Sequence, residues 1–454
     1  MRILKTIAAA CVIAAATATP GLAQSLIRDT EIEHMLRDYT TPLFIAAGLE
    51  PNDVGLYIIA DPSINAFVTG GQNIFTHTGT IIEAENPNQL RGVLAHETGH
   101  ISGAHLARVD EGLAAAQVPM FVSVGLGVLA ALAGEGQAAG ALLASSQQFG
   151  ALQFMTYSRA QESAADQAGL NFLEASGNSG EGLVAFFERF RYQEVMSQAR
   201  RFPYFRSHPL SSQRIVALRE NVNSAEHFGV LDPPVEVDRL RRIQAKIYGF
   251  TAAPQFVHFR YPETDQSLYA RYARAVAYYR EARIDEAQSE IQSLVDEEPL
   301  NPYFHELFGQ MLFESGRAAE SIPYHQTSVD LEPTAPLLRV NLAIAMIATE
   351  NPEYLEEAAG HLRVALNIEH DNSFAWYQLS IVHERNGNTP LAQLAVAEQA
   401  FAVGNRMRAN QFAGRARAGL ENGTTAWFRA TELEAVSQPT AADLRQMRRQ
   451  RRNQ

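Results

Sequence analysis

Two hydrophobic rhythms alternate along the first half of the chain. Ile32, Met35, Leu36 and Tyr39 recur on one helical face, which predicts an amphipathic helix over residues 27–40 with Pro42 just beyond it. From Gly55 the pattern becomes strand-like. Leu56-Tyr57-Ile58-Ile59 is a short β-rich run, and Asn65-Ala66-Phe67-Val68-Thr69 and Asn73-Ile74-Phe75-Thr76 flank Gly70-Gly71 as the arms of a hairpin flank their turn. Asn86-Pro87-Asn88 opens a new helix, and helices with loops are expected onward to about residue 225. Residues 118–133 are largely apolar; Gly134-Glu135-Gly136 interrupts them and 138–144 continue. Each piece is shorter than the roughly 20 residues of a membrane-spanning helix. A buried hairpin or a lid is the default expectation there, and a segment lying on a membrane surface is the sharper one for 118–146.

Near residue 265 the period lengthens. Pro299 and Pro333 stand 34 residues apart, each closing an apolar-periodic pair of helices, with Leu307, Phe308, Gly309, Met311, Leu312, Ala318, Ala319 and Tyr324 between them. That is the spacing of tetratricopeptide hairpins, which stack because one hairpin cannot bury its own apolar face. The period slips in the third unit, where Asn351-Pro352-Glu353 adds residues, and another unit begins at Ala375-Trp376-Tyr377. Tyr278, Tyr279, Phe304, Phe308, Trp376 and Tyr377 are expected to fill the stack, leaving a concave groove for another protein.

Composition narrows the class. The 454 residues are 46% hydrophobic, which fits a globular chain of more than one core. A formal net charge of −13 disfavours nucleic acid as a partner. Arg2 and Lys5 precede an apolar run from residue 7 to 16, and Gly21-Leu22-Ala23 ends it in a small-residue cleavage pattern, so residues 1–23 read as a secretory signal peptide. The only cysteine, Cys11, falls inside it, so the exported part holds no disulfide. Residues 436–454 read as a polar tail, with Arg445, Arg448, Arg449, Arg451 and Arg452 giving it a basic end.

The chemistry concentrates in His96-Glu97-Thr98-Gly99-His100. Residues four apart share a helix face, so His96 and His100 offer two imidazoles to one zinc ion, and Glu97 is placed to take a proton from water that the metal activates. Leu90, Val93, Leu94 and Ala95 mark the helix as buried, where bare imidazoles would be costly. A catalytic zinc needs a third protein ligand and an open position. His105 lies about 140° further round if the helix continues, so it is expected to point elsewhere. Glu162 is the better candidate, with Asp166 one turn on to orient a ligand histidine through its free ring nitrogen.

The HETGH helix, the downstream Gln161-Glu162-Ser163-Ala164-Ala165-Asp166, the Asn65-Ala66-Phe67 run and the later Ser207-His208-Pro209-Leu210 resemble the zinc peptidase family of the CAAX prenyl protease and HtpX. The resemblance implies one zinc held by His96, His100 and Glu162, with Glu97 as general base. It also implies that His208 reaches the site, either occupying the open metal position at rest or steadying the oxyanion, and that Arg214 holds the substrate backbone or the developing charge. Within that family, a signal peptide joined to C-terminal tetratricopeptide repeats resembles the architecture of periplasmic outer-membrane quality control.

The expected fold is therefore mainly α: a helical zinc metallopeptidase domain with a small β hairpin or sheet, then an α-solenoid of tetratricopeptide repeats. The segments are a signal peptide (1–23), the peptidase domain (24–230), a linker (231–264), the repeats (265–435) and the tail (436–454). The expected function is periplasmic endopeptidase action on misfolded or unassembled proteins, which would add to the hairpin edge as strands. The rival expectation is a chaperone-like assembly factor acting mainly by binding.

Overall fold

The structure, a computed structural model, describes residues 26–132, 136–196, 208 and 211–440. The expected signal peptide (1–23) and the arginine-rich end of the tail (441–454) lie outside those residues. The chain divides into two compact units, one of residues 1–28 and 32–244, the other of residues 29–31 and 245–454.

In the first unit α1 (Thr30–Ala46) buries Ile32, Met35, Leu36 and Tyr39 as the pattern requires, and then continues through Pro42 to bury Leu43 and Phe44. The helix was expected to stop before that proline. A proline removes one intrahelical bond, and the two buried side chains beyond it offset that loss. Four strands follow the order β1-β2-β4-β3, where β1 is Leu26–Ile27, β2 Gly55–Ile59, β3 Ala66–Thr69 and β4 Asn73–His77. The β3–β4 hairpin turns through Gly70 and Gly71, both at positive φ, which only glycine adopts freely. β4 also pairs in parallel with β2, a contact the local pattern did not reveal. Ile58, Ala66, Ile74 and Thr76 face the core, whereas Tyr57, Phe75 and Phe67 stack across three strands on the other face.

After a short α2 (Thr78–Glu83), α3 (Pro87–Ser102) starts where Asn86 caps it, its side chain accepting from the Gln89 N–H with Pro87 in the first turn. This helix is buried almost all round. α5 (Gly136–Ala175) and α6 (Glu181–Met196) lie against it so closely that three glycines are required. A Cβ on Gly92 would fall 2.8 Å from the Leu183 backbone, one on Gly99 2.6 Å from the Ala165 carbonyl oxygen, and one on Gly169 3.0 Å from the Ala95 backbone. α4 (Val109–Leu132) packs on α5 but is not the buried hairpin of the default expectation. Val118, Phe121, Val122 and Leu126 are each at least half exposed. Among the described residues no helix is long and apolar enough to cross a membrane. α7 (Ser212–Asn223) follows, its first turn capped by Ser211.

The segment 231–264, expected as a linker, is helical as α8 (Pro234–Thr251) and α9 (Pro254–Arg260). Its charged composition masks Leu240, Ile243 and Ile247, which recur at helical spacing and are buried.

The second unit continues as five helix hairpins: α10 (Leu268–Arg280) with α11 (Ile284–Glu297), α12 (Pro302–Glu314) with α13 (Ala318–Leu331), α14 (Pro336–Ala348) with α15 (Leu355–Ile368), α16 (Ser373–Arg385) with α17 (Thr389–Ala402), and α18 (Arg406–Gly419) with α19 (Thr425–Val436). Their first helices begin at 268, 302, 336, 373 and 406, so the 34-residue period slips where the 3₁₀ turn Pro352–Tyr354 is inserted. Phe304, Phe308 and Tyr278 fill the stack as expected, but Tyr377 does not. It is half exposed with Phe374 one turn away, and the tightly packed positions of α16 are Ala375, Leu379 and Val382.

Candidate active site

α3 sets the first two groups one turn apart. The His96 and His100 rings meet edge to face, with their Nε2 atoms 3.2 Å apart. α5 crosses α3 at Gly99 and brings Glu162 between them, its carboxylate oxygens 3.4 Å from each Nε2. One turn further along α5, Asp166 lies 2.9 Å from His96 Nδ1, on the side of the ring away from the cluster. His208 enters from the segment before α7, with Nδ1 3.2 Å from His96 Nε2 and from both oxygens of Glu162. The candidate ligand atoms of His96, His100, Glu162 and His208 all lie within 4.8 Å of one another.

The electrostatics are those of a place built for a cation. Burial opposes charge on His96, but the Asp166 and Glu162 carboxylates outweigh it and raise that imidazole to about 10. Burial and the neighbouring His96 push His100 down to about 2. Glu162 would be raised by burial, yet its bonds to His208 and His96 hold it well below the usual carboxylate range. A divalent ion that displaces the His96 proton would meet the same ligands. Glu97 is fully buried, its pKa is raised by burial, and neither oxygen has a hydrogen-bond partner among the described residues. Its nearest cluster neighbour is His208 Nε2, 3.5 Å from Oε1. A carboxylate left in that state has no structural task, and the donor set beside it suits zinc: two or three imidazole nitrogens and one carboxylate.

Residues 27–222 match the family model described as Peptidase family M48. The first unit carries an M48 peptidase domain. At 25% identity over 361 residues, the chain is similar to the beta-barrel assembly-enhancing protease of Escherichia coli (strain K12), covering 77% of this chain and 71% of that protein. The putative beta-barrel assembly-enhancing protease of Vibrio cholerae serotype O1 is 25% identical over 415 residues, covering 89% of this chain and 84% of that protein. The metalloprotease YcaL of Escherichia coli (strain K12) is 28% identical over 181 residues, covering 39% and 64%. The comparisons support a metalloprotease and imply a metal.

Within the M48 domain, Arg214 lies in the first turn of α7 and is buried. It was expected to meet substrate. Its Nε and Nη2 donate to the two Asp166 oxygens at 2.7 and 2.8 Å, and its Nη1 lies 3.2 Å from Glu162. His105 was expected to point away from the cluster, and it supplies no atom to it, but it meets the far side of the His100 ring. α3 stops at Ser102, the chain doubles back, and His105 Nδ1 comes to 3.0 Å from His100 Nδ1. Gly103, a helix-ending residue type three residues after His100, was the available signal that the helix would not run on.

Proposed function

We propose that this chain is a zinc-dependent endopeptidase of the periplasm that cleaves misfolded or unassembled outer-membrane proteins and is held closed at rest by His208. The observation that carries the reading is the buried, unbonded carboxylate of Glu97 beside a cluster of four donors. His96, His100 and Glu162 would hold the metal, which supplies a Lewis acid for water and the peptide carbonyl. Glu97 takes the proton of the attacking water and passes it to the departing amine nitrogen. Asp166 fixes the His96 ring, and Arg214 holds Asp166 by a two-pronged bond, a positioning role that its geometry favours over contact with substrate. His208 in the fourth position supports a resting plug and leaves the oxyanion role second.

Substrate entry fits the sheet edge. The His77 N–H donates to Asn65 O, so alternation along β3 turns the main chains of Ala66 and Val68 away from β4, where an added strand would bond. Similarity to beta-barrel assembly-enhancing proteases supports both the substrates and the compartment. Exposed apolar residues of α4 support contact with a membrane surface, and the half-exposed Phe374 and Tyr377 support partner binding by the repeats.

The test is casein cleavage and zinc content for the wild type, Glu97→Gln and His208→Ala. Glu97→Gln should keep zinc and lose cleavage, while His208→Ala should cleave faster than the wild type. A Glu97→Gln protein that cleaves like the wild type refutes the mechanism. Loss of cleavage in His208→Ala would restore the oxyanion role. A chain that acts mainly by binding would keep its cellular role with Gln at position 97.

A further inference from the structure

We infer that His105 is a positioning residue for the metal, holding the His100 ring so that its Nε2 faces the cluster; the inference rests on the metallopeptidase reading. The two α3 histidines are then treated alike. Each turns Nε2 to the site and has a dedicated partner on Nδ1: Asp166 for His96, at 2.9 Å, and His105 for His100, at 3.0 Å. A neutral His100 that ligates through Nε2 carries its proton on Nδ1, and the His105 Nδ1 lone pair accepts it. Both rings are held in place, 5.0 Å apart between centroids and at 78°, with His105 only 8% exposed.

The backbone around His105 is arranged to allow this contact. The His105 N–H donates to the His100 carbonyl at 3.1 Å, closing a turn in which Ala104 sits at φ 50°. That left-handed conformation is unfavourable for alanine and persists where surrounding contacts require it. Gly103 supplies the space. A Cβ there would lie 2.4 Å from His105 Nε2 and 2.8 and 2.9 Å from two ring carbons. Any larger residue at 103 therefore expels the ring from its place beside His100.

The experiment compares the full zinc-loaded chain with His105→Leu, His105→Asn, His105→Gln and Gly103→Ala. The readouts are zinc affinity, by competition with a chromophoric chelator, and the melting temperature of the metal-free protein. His105→Leu should weaken zinc binding roughly 10–100-fold, the range for losing such a partner. His105→Asn should recover most of the loss, because its Oδ1 stands where Nδ1 stood, whereas the Gln oxygen reaches the Nε2 position and should not. Gly103→Ala should resemble His105→Leu. Zinc affinity of His105→Leu within about threefold of the wild type overturns the inference. So does equal weakening by Leu, Asn and Gln, which would mark a purely structural ring. A wild type that binds no zinc overturns the metallopeptidase reading itself, and this inference with it.

Discussion

Replacing Gly99 by alanine perturbs the site without removing any of its chemical groups. Gly99 lies where α3 crosses α5, and an added Cβ would sit 2.6 Å from Ala165 O, 2.9 Å from Ala165 Cα and 3.1 Å from its carbonyl carbon. Carbon atoms in contact keep about 3.5–4.0 Å, so α5 must retreat by about 0.5–1 Å. Ala165 stands between Glu162 and Asp166, so both carboxylates retreat with it. The 2.9 Å approach of Asp166 to His96 and the 3.4 Å approaches of Glu162 to both histidines lengthen together.

Stability and function should separate. Overpacking of this size costs about 1–3 kcal/mol, and the better helix propensity of alanine returns about 1 kcal/mol, leaving a net loss of about 0–2 kcal/mol. A displacement near 1 Å in a catalytic constellation costs about 100-fold in rate. The assay is zinc affinity, thermal unfolding and kcat/KM on casein, all in the His208→Ala background, where the proposed plug is absent. Gly360→Ala is the control. No atom lies within 4 Å of its added Cβ in α15, and it should stabilise the chain by about 0.5–1 kcal/mol without touching cleavage. If Gly99→Ala binds zinc and cleaves within about threefold of its parent, the close crossing does not set the ligand geometry.

Arg214→Lys keeps the charge but loses the two-pronged bond to Asp166, and should weaken zinc binding about tenfold with little change in KM; a raised KM alone would mean that Arg214 meets substrate. His325 is buried against Gly309 in the repeats, and burial lowers it from 6.5 to about 4, so the unfolded chain protonates first as the pH falls. Stability from this group is fully present above about pH 6.5 and is lost towards pH 4, on the order of 2 kcal/mol between pH 7 and 4.5, which His325→Gln should remove from urea unfolding followed by the fluorescence of Trp376 and Trp427. Val118→Glu with Phe121→Glu places charge on the exposed face of α4, and should abolish flotation of the chain with phospholipid vesicles while leaving casein cleavage intact; a wild type that does not float refutes the membrane contact.

Spacing within a helix was readable, and so was everything that depends on it. His96 with His100, Glu162 with Asp166, and the 34-residue period each follow from positions one turn or one repeat apart, where periodicity alone fixes which side chains share a face. Failures fall where a helix ends, where charge disguises its apolar stripe, or where an aromatic residue lies beside the buried face. α1 ran through Pro42, the charged segment around Leu240 hid a helix, and Tyr377 was assigned to the stack although the buried face of α16 passes through Ala375 and Leu379. His105 shows why helix ends matter most for function. A helix continued the five residues from His100 to His105 would turn it about 140° from the proposed ligands, whereas ending α3 at Ser102 brings it back onto His100. Arg214, likewise, acquires its partner only through the packing of the first turn of α7 against α5. Local pattern therefore finds the residues proposed to hold a metal, which share helix faces. The residues that hold those ligands come from chain reversals and crossings set by Gly99 and Gly103, whose role is visible only once the backbones that approach them are known.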